Sequence, residues 1–313
     1  MLLFYILIFI ASSLLLAFSG TLVVGSLVGI ARHLKWREFV VGFLIMAAAT
    51  SLPNLFVGIN AALRGIPQLS FGDVVGGNVI DLTLVIGLAA LIANGLPTGS
   101  RMVQSSSLFT ILIALLPLLL SLDGQLNRID GVILILAFVF YAGWLFSTDE
   151  RYRKAYQGRE KQGSFLKNLM IFAISIVMLI LGSQGVVSSA MFFAQNLKMA
   201  IGLIGILIVG LGNCLPEIYF SLASAKKGQS WLVLGDLMGS VINCATLVLG
   251  IVVLISPITI TDFSPYLLAR IFLIVSSLSF LLFIRSDKKL SHREGLFLLG
   301  IYILFLLSEI FLR

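Results

Sequence analysis

Ala49-Thr50-Ser51-Leu52-Pro53-Asn54 and Gly212-Asn213-Cys214-Leu215-Pro216-Glu217 are the two stretches whose reading decides the fold. Each lies inside an apolar run, about residues 38–62 and 200–225, and roughly 20 apolar residues suffice to cross a bilayer. A proline inside a helix removes one backbone hydrogen bond and crowds the carbonyl four residues back. In hydrocarbon that freed carbonyl has to face protein, water or an ion. The carbonyls of Ala47 to Ala49 and Gly210 to Gly212 are the candidates, with Ala47 and Gly210 as possible ligands. A broken helix flanked by hydroxyl, amide and carboxylate side chains is a plausible oxygen cage for a hard cation.

The two blocks are copies of one another. At a constant offset of 163 residues, positions 31–87 match positions 194–250 with 18 identities in 57 gap-free positions. The matches include Pro53 with Pro216, Gly65 with Gly228, Asp73 with Asp236, Gly76 with Gly239, and Thr83 with Thr246. Shared apolar composition does not produce matched prolines, aspartates and glycines. Outward from the blocks the hydropathy predicts ten spans: 3–30, 38–62, 70–94, 104–122, 130–147, 166–192, 200–225, 232–256, 264–284 and 293–312. Five spans separate equivalent positions. Five is odd, so the second copy enters the membrane from the opposite side, an inverted-topology repeat typical of secondary transporters. The expected fold is therefore an all-α integral membrane protein of ten transmembrane helices arranged as two inverted five-helix repeats. The N-terminal repeat occupies 1–147, a charged linker 148–165, and the C-terminal repeat 166–313.

Composition agrees. Of the 313 residues, 59% are hydrophobic and 11% charged, against about 25% charged in an ordinary soluble domain. The formal charge of +7 sits in short loops and needs no nucleic acid. Of the 21 Lys and Arg residues, 16 fall on loops that ten spans place on one side. The positive-inside rule makes that side cytoplasmic and puts both termini outside, in the plasma membrane. The first apolar run is too long for a signal peptide. The two cysteines, Cys214 and Cys244, form neither a CxxC motif nor a disulfide framework.

Polar groups recur in the span after each proline block. Asp73, Gly77 and Asp81 stand at i, i+4 and i+8 and share one helix face. The equivalent face of the second copy carries Asp236, Ser240 and Cys244. Gly76, Gly77 and Gly239 permit close approach of neighbouring helices. Ionisable residues inside a span are costly and mark function. Glu217 and Asp81 are the main candidates, while helix capping is an alternative role for Asp73 and Asp236.

These motifs resemble the two alpha-repeats of the cation/calcium exchanger superfamily, especially the prokaryotic sodium/calcium exchangers, whose pattern is roughly G-T-S-L-P-E followed by G-N-x-x-G-S-N-x-x-N/D. The resemblance covers essentially the whole chain. It implies cation ligands at Thr50, Ser51, Asn54, Gly77 and Asp81, and at Asn213, Cys214, Glu217, Ser240 and Cys244. There are departures. Asn54 stands where the family places a glutamate, Cys214 where it places a hydroxyl, and Cys244 where it has Asn or Asp. Asp73 and Asp236 replace the usual asparagines, and Asp81 stands where Asn is common.

Glu217 and Asp81 together balance one calcium ion or two monovalent ions. With Asn54, Thr50, Ser51, Asn213, Ser240 and free carbonyls they can furnish the roughly 6–8 oxygens that calcium takes. The two thiols would instead suit a softer ion, or serve as small buried residues. The expected function is secondary cation antiport, sodium/calcium exchange by alternating access. A calcium/proton antiporter and a family member impaired in transport are the alternatives. A channel fits an enclosed carboxylate site less well, and no nucleotide-binding G-x-x-x-x-G-K-[ST] motif supports an ATP-driven pump or another enzyme. No cofactor is expected. The expected partners are the lipid bilayer and the transported cations, Ca2+ and Na+ (or H+), with no nucleic acid and no obligate protein.

Overall fold

The structure, a computed structural model, describes residues 1–33, 51–148, 165–260, 264–286 and 289–311. Nine helices among the described residues are long and apolar enough to cross a membrane, and the shorter apolar helix Leu52–Leu63 joins them. In chain order the helices are α1 (Leu2–His33), α2 (Leu52–Leu63), α3 (Gln68–Ile92), α4 (Arg101–Leu120), α5 (Arg128–Thr148), α6 (Phe165–Leu197), α7 (Ile201–Lys226), α8 (230–255), α9 (Ser264–Ser286) and α10 (His292–Phe311). The expected spans fall on these helices to within a few residues. The first half of span 38–62 and the linker lie outside the described residues.

The offset of 163 read from the sequence is carried into three dimensions. Helix α2, Leu52–Leu63, corresponds to the second half of α7, Leu215–Lys226, end for end. Both end in the same turn. Gly65 has φ +72° and Gly228 φ +70°, and the residue after each bonds five back, Ile66 N–H to the Ala61 carbonyl and Gln229 N–H to that of Ser224. Only glycine adopts this left-handed cap without steric cost, which accounts for the matched pair.

Four two-residue strands establish that the repeats are inverted. They are β1 (Leu96–Pro97), β2 (Gln125–Leu126), β3 (Ile258–Thr259) and β4 (Lys289–Leu290). Strands β1 and β2 flank α4, whose 20 residues span about 30 Å at 1.5 Å per residue, so they mark opposite membrane faces. β1 pairs antiparallel with β4, and β2 with β3. By position in the repeat β3 is the counterpart of β1, yet it pairs at the far end of α4. Equivalent loops thus lie on opposite faces.

The centre of the protein is built from α3 and α8, most of whose residues are buried, whereas α1 is largely exposed along its length. Helices α1 and α6 pack along one another at the periphery. The 32 residues of α1 make a helix of about 48 Å, longer than the roughly 30 Å hydrocarbon layer, so α1 tilts or projects from the membrane.

Close packing at the centre depends on glycine. A Cβ on Gly72 would come within 2.0 Å of the Gly202 carbonyl oxygen, and one on Gly76 within 2.3 Å of that of Ile206. In return, a Cβ on Gly205 would meet the Leu69 carbonyl at 2.3 Å. These three residues let α3 touch the first half of α7 backbone to backbone, which brings Asp73 and Asp81 against the second repeat. Residue 43, which stands 163 positions before Ile206, lies outside the described residues.

Candidate functional site

The break in α7, the start of α2 and the π-helical turns of α3 and α8 meet at the middle of the molecule. In the second repeat α7 runs to Asn213, interrupts at Cys214 and restarts at Leu215 with Pro216 in its first turn. In the first, α2 starts at Leu52 with Pro53 in its first turn. Each proline stands in the first turn of a helix rather than kinking the interior of one, as expected of a residue with no N–H to offer at a position where none is needed. The Gly210 carbonyl accepts the Cys214 N–H at 3.0 Å. The carbonyl deprived of its partner by Pro216 is that of Gly212, four residues back, so the broken segment frees Gly212 rather than Gly210. Ala47 and Thr50 lie outside the described residues.

The π-turns were not foreseen. Asp81–Val85 interrupts α3 and Cys244–Val248 interrupts α8, again 163 residues apart. Each begins at the last residue of the polar face. In both, a threonine hydroxyl bonds the carbonyl four residues back, Thr83 to Val79 and Thr246 to Ile242, which explains that matched pair. π-turns within α-helices concentrate at functional sites.

Side chains from both repeats interlock here. Asn213 Nδ2 donates to Asp73 Oδ2 at 2.9 Å, Cys214 Sγ to the Gly77 carbonyl at 3.7 Å, Asn54 Nδ2 to Cys244 Sγ at 2.9 Å, and Ser240 Oγ to Glu217 Oε1 at 3.3 Å. Asp81 faces Ser240 and Cys214, and Asp81 and Asp236 both lie close enough to Glu217 for their charges to interact. The face formed by Asp73, Gly77 and Asp81 is therefore real, and it is turned to the break in α7. Ser51, Asn54, Asp73, Asp81, Asn213, Glu217 and Ser240 are all buried. Asp236 is partly exposed. Capping is excluded as the role of either repeat-matched aspartate: α3 starts at Gln68 and α8 at Ser230, several residues before them. Asn78 and Asn243 are buried in the same helices. An amide within an apolar span was the signal for them, and the sequence reading passed over both.

Asn54 with Cys244 occupies the positions that Glu217 with Asp81 occupies in the other half, each partner moved by 163 residues. One half of the pseudo-symmetric site is a pair of carboxylates and the other an amide and a thiol. The first turn of α7's second half contains Glu217, and that of α2 has no acidic residue. A helix N-terminus carries about half a positive charge, so only the Glu217 half offsets its own dipole and presents net negative charge.

Of the buried side-chain oxygens that lack a hydrogen-bond donor among the described residues, five belong to the predicted site residues: Asn54 Oδ1, Asp81 Oδ1, Asn213 Oδ1, Glu217 Oε2 and Asp236 Oδ2. Each such group costs about 1–3 kcal/mol, and five together approach the whole net stability of a typical domain. All five accept and none donates, so a cation satisfies them where another carboxylate would not. Among the described residues no three His, Cys, Asp or Glu side chains form a metal-holding group. The amide, hydroxyl and carboxylate oxygens gathered here are the donor types that hard cations take. Cys214 and Cys244 are free thiols, both occupied in contacts within the core.

The chain is similar in sequence and fold to known proteins. The chain is 30% identical over 212 residues to an uncharacterised membrane protein, MJ0091, of Methanocaldococcus jannaschii, covering 67% of this chain and 68% of that one. It is 25% identical over 317 residues to the sodium/calcium exchanger MaX1 of Methanosarcina acetivorans, covering 88% and 90%. The fold superposes on the sodium-calcium exchanger NCX_Mj soaked with 10 mM Na+ and 10 mM Sr2+, with a TM-score of 0.66 and 26% identity over 98% of this chain and 99% of that one. The family described as sodium/calcium exchanger protein matches residues 4–147 and 167–311. With both repeats accounted for, this chain belongs to the sodium/calcium exchanger protein family.

Proposed function

We infer that the protein is a secondary antiporter that exchanges sodium for calcium by alternating access, and that its cations sit at the midpoint of the membrane between Glu217 and Asp81. The observation that carries this reading is the set of five buried acceptor oxygens, contributed by both repeats and gathered where two half-helices begin. Ser51 and Ser240 add hydroxyl oxygens to this set, with Gly77 leaving room at the wall and the Gly212 carbonyl in reach of the break. Asp73 is a positioning residue, held by Asn213, and Asp236 adds negative charge at the edge.

Alternating access follows from the inverted repeats. If each half can adopt the other's conformation, a site on the pseudo-two-fold axis opens to either side without moving far. The two central carboxylates, Glu217 and Asp81, supply a formal −2 that matches one calcium ion against two sodium ions, and a third positive charge would have to be met by Asp73 or Asp236, since an uncompensated charge in a region of low dielectric is expensive. The basic loops orient the protein in the plasma membrane with both termini outside.

The test is uptake of radiolabelled calcium by purified protein in liposomes. Uptake driven by an outward sodium gradient at equal pH is the expected result. Uptake that needs a proton gradient and ignores sodium would replace sodium with protons as the counter-ion, and no uptake under either gradient would overturn antiport of calcium.

A further inference from the structure

Between α1 and the first turns of the second half of α7 lies a cleft of about 870 Å³. Its walls are apolar, formed by Leu14 and Phe18 of α1 with Tyr219 and Phe220 of α7, and two acidic residues line it, Glu217 and Asp236. Leu14, Phe18 and Tyr219 are 57%, 59% and 78% exposed. They stand near the midpoints of helices that cross the bilayer, so the cleft opens sideways into lipid rather than toward water.

That combination selects an occupant. A hydrated inorganic cation would shed water against walls that offer almost no oxygen, at a large solvation cost. An anionic lipid or fatty acid would bring a third negative charge to Glu217 and Asp236. A neutral acyl chain would leave the two acidic residues that line the cleft, Glu217 and Asp236, without a counter-charge. The volume falls within the roughly 300–1,000 Å³ of small-molecule sites, and aromatic rings at the mouth attract organic cations through their faces. We propose that the cleft between α1 and α7 binds a lipophilic organic cation that enters from the bilayer, places its charged centre against Glu217 and Asp236, and lays its apolar body along Phe18 and Tyr219. The site stands on the cleft alone and does not require that Glu217 hold a transported ion.

The experiment is binding of tritiated tetraphenylphosphonium to the full chain in lipid nanodiscs, with empty nanodiscs subtracted. Saturable binding is expected. Tetraphenylborate, of like shape and opposite charge, should not compete, and neither should tetramethylammonium, which lacks the apolar body. Phe18→Ala and Asp236→Asn should each weaken binding by about tenfold, the order of one aromatic-cation or charge contact. Leu136→Ala, on the lipid face of α5, should leave it unchanged. Phe18 is exposed, so its truncation leaves the fold intact. Equal binding of tetraphenylborate, or affinity indifferent to both Phe18→Ala and Asp236→Asn, would overturn the proposal. Binding that depends on those residues supports the cleft even if calcium flux is absent, and failure of this binding leaves calcium exchange standing.

Discussion

Replacing Glu217 by glutamine tests the central assignment most directly. Glu217 is 3% exposed, its Oε1 accepts from Ser240, and its Oε2 has no donor among the described residues. The substitution keeps volume and one oxygen but removes a charge. At an effective dielectric constant near 20 a pair of unit charges about 4 Å apart interacts by about 4 kcal/mol, and a divalent ion doubles this. The amide dipole recovers part of it. A net loss of about 4 kcal/mol corresponds to roughly a thousandfold in calcium affinity, enough to abolish flux at micromolar calcium. Stability should move the other way or not at all, because a buried carboxylate without full compensation is a burden on the empty protein. The assay pairs sodium-driven calcium uptake in liposomes with thermal unfolding in detergent. Loss of uptake in a protein that still unfolds cooperatively, at an unchanged or higher temperature, is the expected result. Near-normal uptake by Glu217→Gln would refute the placement of the ion, whatever the other variants did.

Three further outcomes follow from the same geometry. Asn54→Glu restores an acid at the position equivalent to Glu217 and in the first turn of α2, where none now offsets the helix dipole. Calcium affinity should rise, and exchange, expected to be near electroneutral in the natural protein on the proposed charge count, should become voltage-dependent, measured as calcium uptake under a valinomycin-imposed potential. Gly76→Ala forces a Cβ to within 2.3 Å of the Ile206 carbonyl oxygen and should lower stability by about 1–3 kcal/mol or more. Gly300→Ala, with open space around it, should leave the unfolding temperature unchanged or slightly raised. Single cysteines at Ser105 and Gln195, both exposed positions, should react with impermeant thiol reagents from the cytoplasmic and external sides respectively. The natural thiols, Cys214 and Cys244, are buried and should stay silent, and labelling of both sites from one side would contradict the orientation.

Hydropathy and the 163-residue offset determined the architecture without coordinates, because a membrane helix satisfies its backbone within itself and its apolar length is a local property. The same locality made the matched prolines and glycines legible: Pro53 and Pro216 start half-helices, and Gly65 and Gly228 end them in left-handed turns. It also exposed Glu217 and Asp81, since a carboxylate in an apolar run is conspicuous. Tertiary structure decided the rest. The π-turns at Asp81 and Cys244 are a shift of hydrogen-bond register that no composition records, with Thr83 and Thr246 as their only local trace. Asp73 and Asp236 pass for capping residues in the sequence because a boundary a few residues off turns a mid-helix position into a first turn. Asn54 meets Cys244 across 190 residues, and Asn213 meets Asp73 across 140, a contact between helices that Gly72, Gly76 and Gly205 let touch backbone to backbone. A sequence displays which groups are polar and how often they recur. Which of them face one another depends on how closely the helices approach, and that distance is set by atoms from both repeats at once.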